Sequence, residues 1–199
     1  NVNIKIFNDI QHTITGWPGG KPNADDTDRP ERATPYPKRV LIFSPHPDDD
    51  VISMGGTFRR LCDQHHDVHV AYQTSGNIAV GDEEVVRYCE YLRDVCSKYS
   101  PSDTTIKDKA DEIIRYLRYE KVENDERPDV LFMKGTIRRE EARHACRYTG
   151  IKDDSHIHFL DLPFYETGLV KKNPISEADK DIIKNLLEEL KPDQIFVAG

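Results

Sequence analysis

One stretch constrains this chain more than any other: an apolar run, Val40-Leu41-Ile42-Phe43, that leads directly into Ser44-Pro45-His46-Pro47-Asp48-Asp49-Asp50. Four consecutive apolar residues before a turn read as a strand buried on both faces. After the turn, apolar residues recur at Val51, Met54, Phe58 and Leu61, three and four apart, which is helical spacing, with Gly55-Gly56 inside it. A histidine and three carboxylates therefore sit where a strand gives way to a helix. In open α/β sheets the carboxyl ends of the strands are where ligands bind.

The residue types at that turn suit metal-assisted hydrolysis. An imidazole nitrogen and a carboxylate oxygen are ordinary zinc ligands, and His46 and Asp49 stand three apart, with Pro47 stiffening the turn between them. Asp48 is then free to face a water and take its proton. A run of three aspartates can equally be an acidic helix N-terminus, where the partial positive charge of the helix end favours carboxylates.

The string Ser44-Pro45-His46-Pro47-Asp48-Asp49-Asp50, running on to Gly55-Gly56-Thr57-Phe58, resembles the signature of the LmbE/PIG-L family of zinc-dependent N-deacetylases, which remove acetyl groups from N-acetylglucosamine units. The resemblance extends from about Lys38 to the end of the chain. It implies zinc as cofactor, His46 and Asp49 as zinc ligands and Asp48 as general base. Asp50 stands where most relatives carry glutamate. A second match is Ile137-Arg138-Arg139-Glu140-Glu141-Ala142-Arg143, running on to Gly150, which is similar to the family's R-x-x-E helix. It implies Arg138 beside the metal, in contact with substrate oxygens, and Glu141 as its neighbour. A solvated basic helix face is the plainer account of that segment taken alone. The string Leu160-Asp161-Leu162-Pro163-Phe164-Tyr165 is similar to what relatives carry after a later strand, and makes Asp161 and Tyr165 candidate substrate contacts. Asn77, in the small-residue loop Ser75-Gly76-Asn77 after the second strand, is a further candidate. The family's third zinc ligand is a histidine after a late strand. Gln194 to Gly199 reads as that strand, so the ligand is expected beyond Gly199 and the chain is expected to be a piece of a longer protein, truncated in its deacetylase domain.

Further along, Val68 to Thr74 reads as a second strand, Asp129 to Met133 as a third and Ile157 to Leu160 as a fourth. Amphipathic helices are predicted around Val85-Cys89-Leu92-Cys96-Tyr99, around Ile106-Ala110-Ile113-Ile114-Leu117, and from a cap at Ser176 through Ile182, Ile183, Leu186, Leu187 and Leu190 to Pro192. His65, His66 and His69 read as solvated turn residues, and His158 as a satisfied core residue. Strands alternating with helices imply βαβ units in a Rossmann-like three-layer α/β fold with a mostly parallel sheet. No G-x-G-x-x-G follows the first strand, and no P-loop or G-x-S-x-G elbow occurs, which disfavours nucleotide binding and serine-hydrolase chemistry.

Residues 1–38 read as a strand, Val2 to Phe7, followed by a linker punctuated by Pro18, Pro22, Pro30, Pro35 and Pro37, with Trp17 the one residue suited to packing. Residues 39–199 read as the deacetylase-like domain. The arrangement resembles part of certain bacterial fusion proteins with a glucosamine-6-phosphate deaminase/isomerase half, which implies a fused upstream amino-sugar isomerase as partner. A net charge of −8 argues against nucleic-acid binding, and no apolar run is long enough to span a membrane. Four cysteines without a C-x-x-C fit reduced thiols in a cytoplasmic protein. The expected function is zinc-dependent deacetylation of an N-acetylglucosamine-type sugar or sugar phosphate. The alternatives are a catalytically silent sugar-binding domain fused to the isomerase, and hydrolysis of a different amide such as a thiol-sugar conjugate.

Overall fold

A computed structural model describes residues 37–122 and 126–197. The expected strand at Val2 to Phe7, most of the linker with Trp17, and the last residues of the chain lie outside the described residues. Four parallel strands, β1 (Arg39–Ser44), β2 (Asp67–Tyr72), β3 (Ile157–Phe159) and β4 (Gln194–Val197), pair in the order β3-β2-β1-β4. The chain builds outward from β1 through β2 to β3, then returns to place β4 on the other side of β1. The loop after β1 therefore leaves at the point where strand order reverses, the place in such sheets where a crevice opens.

Helices cover both faces. On one, Val40, Ile42, Val70 and Tyr72 pack against Phe58 and Leu61 of α1 (Asp49–Asp63) and against Ala142 and Cys146 of α4 (Pro128–Thr149). On the other, Leu41, Phe43 and Ala71 meet Leu186 and Leu190 of α5 (Glu177–Leu190). Burial of β1 on both faces explains why its sequence is continuously apolar rather than alternating. Phe58 and Leu61, both without exposure, contribute about 1.5–3 kcal/mol each by burial and hold α1 against the sheet behind the aspartate turn. The expected three-layer α/β fold is the one observed, with all described strands parallel.

A satellite core forms where α2 (Asp82–Tyr99) and α3 (Thr105–Arg115) pack on the first half of α4, with Val85, Cys89, Ile113, Val130 and Ile137 at its centre. The predicted strand at Asp129 to Met133 is instead the opening of α4. Pro128 occupies its first turn, where a missing N–H costs nothing, and Asp129 favours the same helix end. Burial at Val130, Lys134 and Ile137, with Phe132 exposed, follows the helical period, not the alternate-residue period of a strand. The short apolar run fits either period, and the longer pattern decides. The predicted cap of α5 is present as a capping box between Ser176 and Asp179.

The histidines near β2 depart from expectation in part. His65 is exposed, but His66 is buried, accepting from the Lys38 amide through Nδ1, and His69 is buried within β2, where its ring stacks on those of His156 and His158. Among the described residues, no helix is long and apolar enough to cross a membrane.

Candidate active site

The turn after β1 is built by local hydrogen bonds. The Ser44 hydroxyl donates to the His46 carbonyl oxygen at 2.6 Å and accepts from the Asp50 amide at 3.0 Å, closing the loop on itself. Asp50 thereby points inward and is fully buried, where Tyr72 Oη donates to its Oδ2 at 2.9 Å. Burial pushes the Asp50 carboxyl up, and the bonds from Tyr72, the backbone and Ser44 only partly offset this. Of the three aspartates, Asp50 is thus the structural anchor, a role that a bare D-D-D does not reveal.

Asp48 and Asp49 turn the other way. The His46 backbone N–H donates to Asp49 Oδ2 at 3.0 Å, and His46 Nδ1 lies 2.9 Å from the same oxygen. Both side chains are partly exposed. An imidazole nitrogen and a carboxylate oxygen held this close, and open to solvent, fit a zinc-type cation. Among the described residues, no third histidine, cysteine or carboxylate completes a ligand group with them.

Asp48 stands at the N-cap of α1, yet its side chain makes no capping bond. Its carboxylate accepts from Arg138 Nη2 of α4 at 2.8 Å instead. Arg138 also pairs with Glu141, one turn on. Burial works against the charge of Arg138, but these two carboxylates more than offset it and raise its pKa. Gly76 makes this approach possible. Its φ is +65°, and a Cβ there would stand 3.0 Å from Pro47 Cδ and 3.4 Å from Arg138 Nε. Tyr165, almost fully buried, presents its ring to His46 edge-on at 5.5 Å between centroids. Lys172 Nζ lies 3.6 Å from the centroid of the Tyr165 ring, and burial raises the Tyr165 pKa, with nearby Glu166 adding to it.

The loop Ser75-Gly76-Asn77 joins this cluster to a cleft of about 310 Å³. Its lining includes the apolar Pro128, Leu131 and Phe132 and the polar Asn77, Arg139, Asp161 and Glu166. Glu166 ties the floor together: its carboxylate accepts from the Ser75 amide and hydroxyl, each at 2.8 Å, and from Asn77 Nδ2 at 3.2 Å. Asp161 pairs with Arg139 and holds φ at +45°, an unusual conformation for an aspartate. Asn77 Oδ1, Arg138 Nε and Arg139 Nε are buried with no hydrogen-bond partner. Such orphans are rare in folded proteins.

The expected residues thus fall in two groups. His46, Asp48, Asp49, Arg138 and Tyr165 converge at the turn, while Asn77 and Asp161 line the adjoining cleft. Arg139 and Glu166 were not singled out from the sequence. Arg139 was hidden beside Arg138 in a basic helix, and the only cue for Glu166 is its place directly after the Phe164-Tyr165 pair.

Residues 41–199 match the PIG-L family, described as GlcNAc-PI de-N-acetylase, and the chain belongs to that family. It is a domain of the deacetylase type, with an α/β three-layer architecture. Over its whole length it is 66% identical to a protein of Bacteroides thetaiotaomicron named as glucosamine-6-phosphate deaminase-like, and it spans 30% of that relative's length. A shorter stretch of 48 residues is 44% identical to diacetylchitobiose deacetylase of Thermococcus kodakarensis, covering 24% of this chain and 18% of that enzyme. No solved structure gives a significant match.

Proposed function

We propose that this chain carries the catalytic turn of a metal-dependent N-deacetylase acting on an N-acetylated amino sugar or its phosphate. The observation that bears most weight is the behaviour of Asp48. At a helix N-cap an aspartate ordinarily bonds to the helix's own amides. Here it gives its carboxylate to Arg138 beside the His46–Asp49 pair. The guanidinium fixes the orientation of a carboxylate that stays partly exposed, and so open to water, beside that pair.

His46 and Asp49 would hold a zinc-type ion, which supplies a Lewis acid for the acyl carbonyl and acidity for the attacking water. Asp48 accepts the water's proton as oxygen adds to the acyl carbon, and returns a proton to the nitrogen as the C–N bond breaks. The products are acetate and a free amine. Arg138 keeps Asp48 oriented and offers its charge to substrate oxygens. The cleft would hold the sugar. Its volume is at the lower end of the range for small-molecule sites. Its lining mixes apolar Pro128, Leu131 and Phe132 with polar Asn77, Arg139, Asp161 and Glu166, a composition suited to a pyranose ring, which has an apolar face and a rim of hydroxyls.

We further assign residues 39–199 to the deacetylase domain and residues 1–38 to its connection with a preceding segment. The name of the Bacteroides relative supports a longer protein in which the released amine is passed to a fused deaminase-like partner. Four free cysteines support residence in the cytoplasm. The test is amine release from N-acetylglucosamine, its 6-phosphate and diacetylchitobiose, using the full natural polypeptide with zinc. Release that disappears in Asp48→Asn is the expected result. No release from any of the three, with zinc bound at His46, would move the substrate elsewhere. No release and no metal at His46 would favour a silent sugar-binding domain.

A further inference from the structure

At the end of the sheet away from the catalytic turn, Asp67 at the start of β2, His69 within it and His156 just before β3 face one another. Asp67 Oδ1 lies 3.3 Å from His69 Nε2 and 3.7 Å from His156 Nδ1. One donor atom from each of the three lies within 4.8 Å of the others, and no other such trio of histidines, cysteines or carboxylates occurs among the described residues. The two rings are stacked, 4.2 Å between centroids and 19° apart, and because each ring nitrogen's lone pair lies in its ring plane, the partly exposed His156 ring must turn about its side-chain bonds for both to meet at one ion.

Each of these groups has further partners behind it. His69 Nδ1 lies 3.1 Å from His158 Nε2, and when Nδ1 donates there, Nε2 turns a lone pair toward Asp67. Arg39 Nε donates to the other Asp67 oxygen at 2.6 Å, which leaves Oδ1 free. Ligating histidines and carboxylates are typically oriented by such outer partners. His156 Nδ1 also lies 3.2 Å from the Val68 carbonyl oxygen, to which it donates when no cation is present. Ligation through that nitrogen displaces its proton to solvent, so binding is pH-dependent.

We propose that Asp67, His69 and His156 form a second metal site, structural in role, for a divalent transition ion of the zinc class. Two imidazoles and one carboxylate favour zinc, nickel or copper over magnesium or calcium, which prefer oxygen alone. The role follows from position. Among the described strands β3 lies at the edge of the sheet; its three residues pair with β2 at Val70↔Ile157, Ala71↔His158 and Tyr72↔Phe159. A metal held by Asp67 and His69 on one side and His156 on the other clamps β3 to β2 at the end where pairing begins. It is separated from His46 by the length of a six-residue strand, roughly 17–20 Å at about 3.3 Å per residue. It therefore does not share ligands with the catalytic turn.

The test is metal stoichiometry in the untagged full chain, stripped with chelator and dialysed against Zn²⁺ or Co²⁺, in a His46→Ala background so that the catalytic turn contributes nothing. One ion per chain is expected, with a zinc-dependent rise in the thermal midpoint and visible d–d absorption for Co²⁺. Adding His156→Ala or, as a second variant, Asp67→Asn is expected to remove ion, midpoint rise and absorption together. His156 is only about a third exposed but lies outside the core clusters, and Asp67→Asn keeps the side chain's volume, so at least one variant retains the fold. His158→Phe is expected to keep the stoichiometry but weaken binding ~10–100-fold, as for loss of an outer-shell partner. A His46→Ala chain that binds no ion, or one whose ion survives both ligand changes, would overturn the proposal whatever the deacetylase assay shows.

Discussion

The two ends of one sheet use polar residues in opposite ways. At the carboxyl ends of the strands, His46, Asp48 and Asp49 come from four consecutive residues and are partly exposed, with Asp48 held by the Arg138 guanidinium of α4. At the other end, Asp67, His69 and His156 come from segments far apart in sequence, and His69 is buried. Burial, with His156 adjacent, pushes His69 down to about 4, so it stands neutral at ordinary pH, although Asp67 pulls the other way. The first end keeps charges available to a ligand. The second sets one buried, neutral imidazole, His69, between the partly exposed Asp67 and His156 of separate segments. Contiguity and access suit chemistry; dispersal and enclosure suit a brace.

That difference also governs what the sequence could disclose. His46 to Asp50 was legible because its spacing is local and its residue types are restrictive. β1, β2, α1 and α5 were legible because their apolar periods are long or continuous and their caps are chemically specific. Asp129 to Met133 reads as a strand because its four apolar residues satisfy both periods, and only the burial of Lys134 and Ile137 extends the helical one. Asp67, His69 and His156 were not legible together, since nothing in the chain announces that β2 pairs with β3. Glu166 and Arg139 are single residues whose importance appears only once the loop at Ser75 and the cleft are formed.

The largest expected effect lies at the catalytic end. Asp48→Asn keeps the side chain's shape but removes the proton acceptor, so turnover should fall by about 10²–10⁴, equivalent to roughly 3–5 kcal/mol. Thermal stability should fall only modestly, because the amide oxygen can still accept from Arg138, which keeps Glu141 as its ion-pair partner, and no helix-capping bond is lost. If turnover survives the change in steady-state assays, Asp48 is only an ion-pair partner and the contrast between the two ends fails.

Tyr72→Phe sharpens the comparison from the core, because Tyr72 ends β2 directly behind the turn. Its hydroxyl donates to Asp50 and contacts Cys146 Sγ at 3.2 Å. Losing it leaves a buried carboxylate short of a donor and should cost about 1–3 kcal/mol in denaturant unfolding. The Asp50 carboxyl should titrate higher still, since the Tyr72 bond is one of the contacts that lower it. Gly76→Ala should cost a little less, about 1–2 kcal/mol, from a positive φ and the approach to Pro47. It should also reduce turnover more than its stability loss explains, because the loop it stiffens backs Arg138. An alanine variant with full turnover would separate that loop from the site.

The smallest effect belongs to a region at neither end, and serves as the control. Asp129 opens α4 beside Arg127 and Lys109. Burial pushes its carboxyl up, but those two cations outweigh burial and hold it down at about 2. A carboxyl with a lowered folded pKa stabilises the fold above its unfolded value, near 3.8, and that stabilisation is lost as pH falls through about 2. Screening by solvent at this surface-facing network reduces the gain to about 1 kcal/mol. Asp129→Asn should therefore lower stability slightly at neutral pH, and the difference from the parent chain should vanish in melts near pH 2. Deacetylation and metal stoichiometry should both be unchanged, since Asp129 touches neither end of the sheet. A shift in either would mean that α4, which carries Arg138 and Arg139, transmits changes from its first turn to the site, and the two ends could no longer be treated as independent.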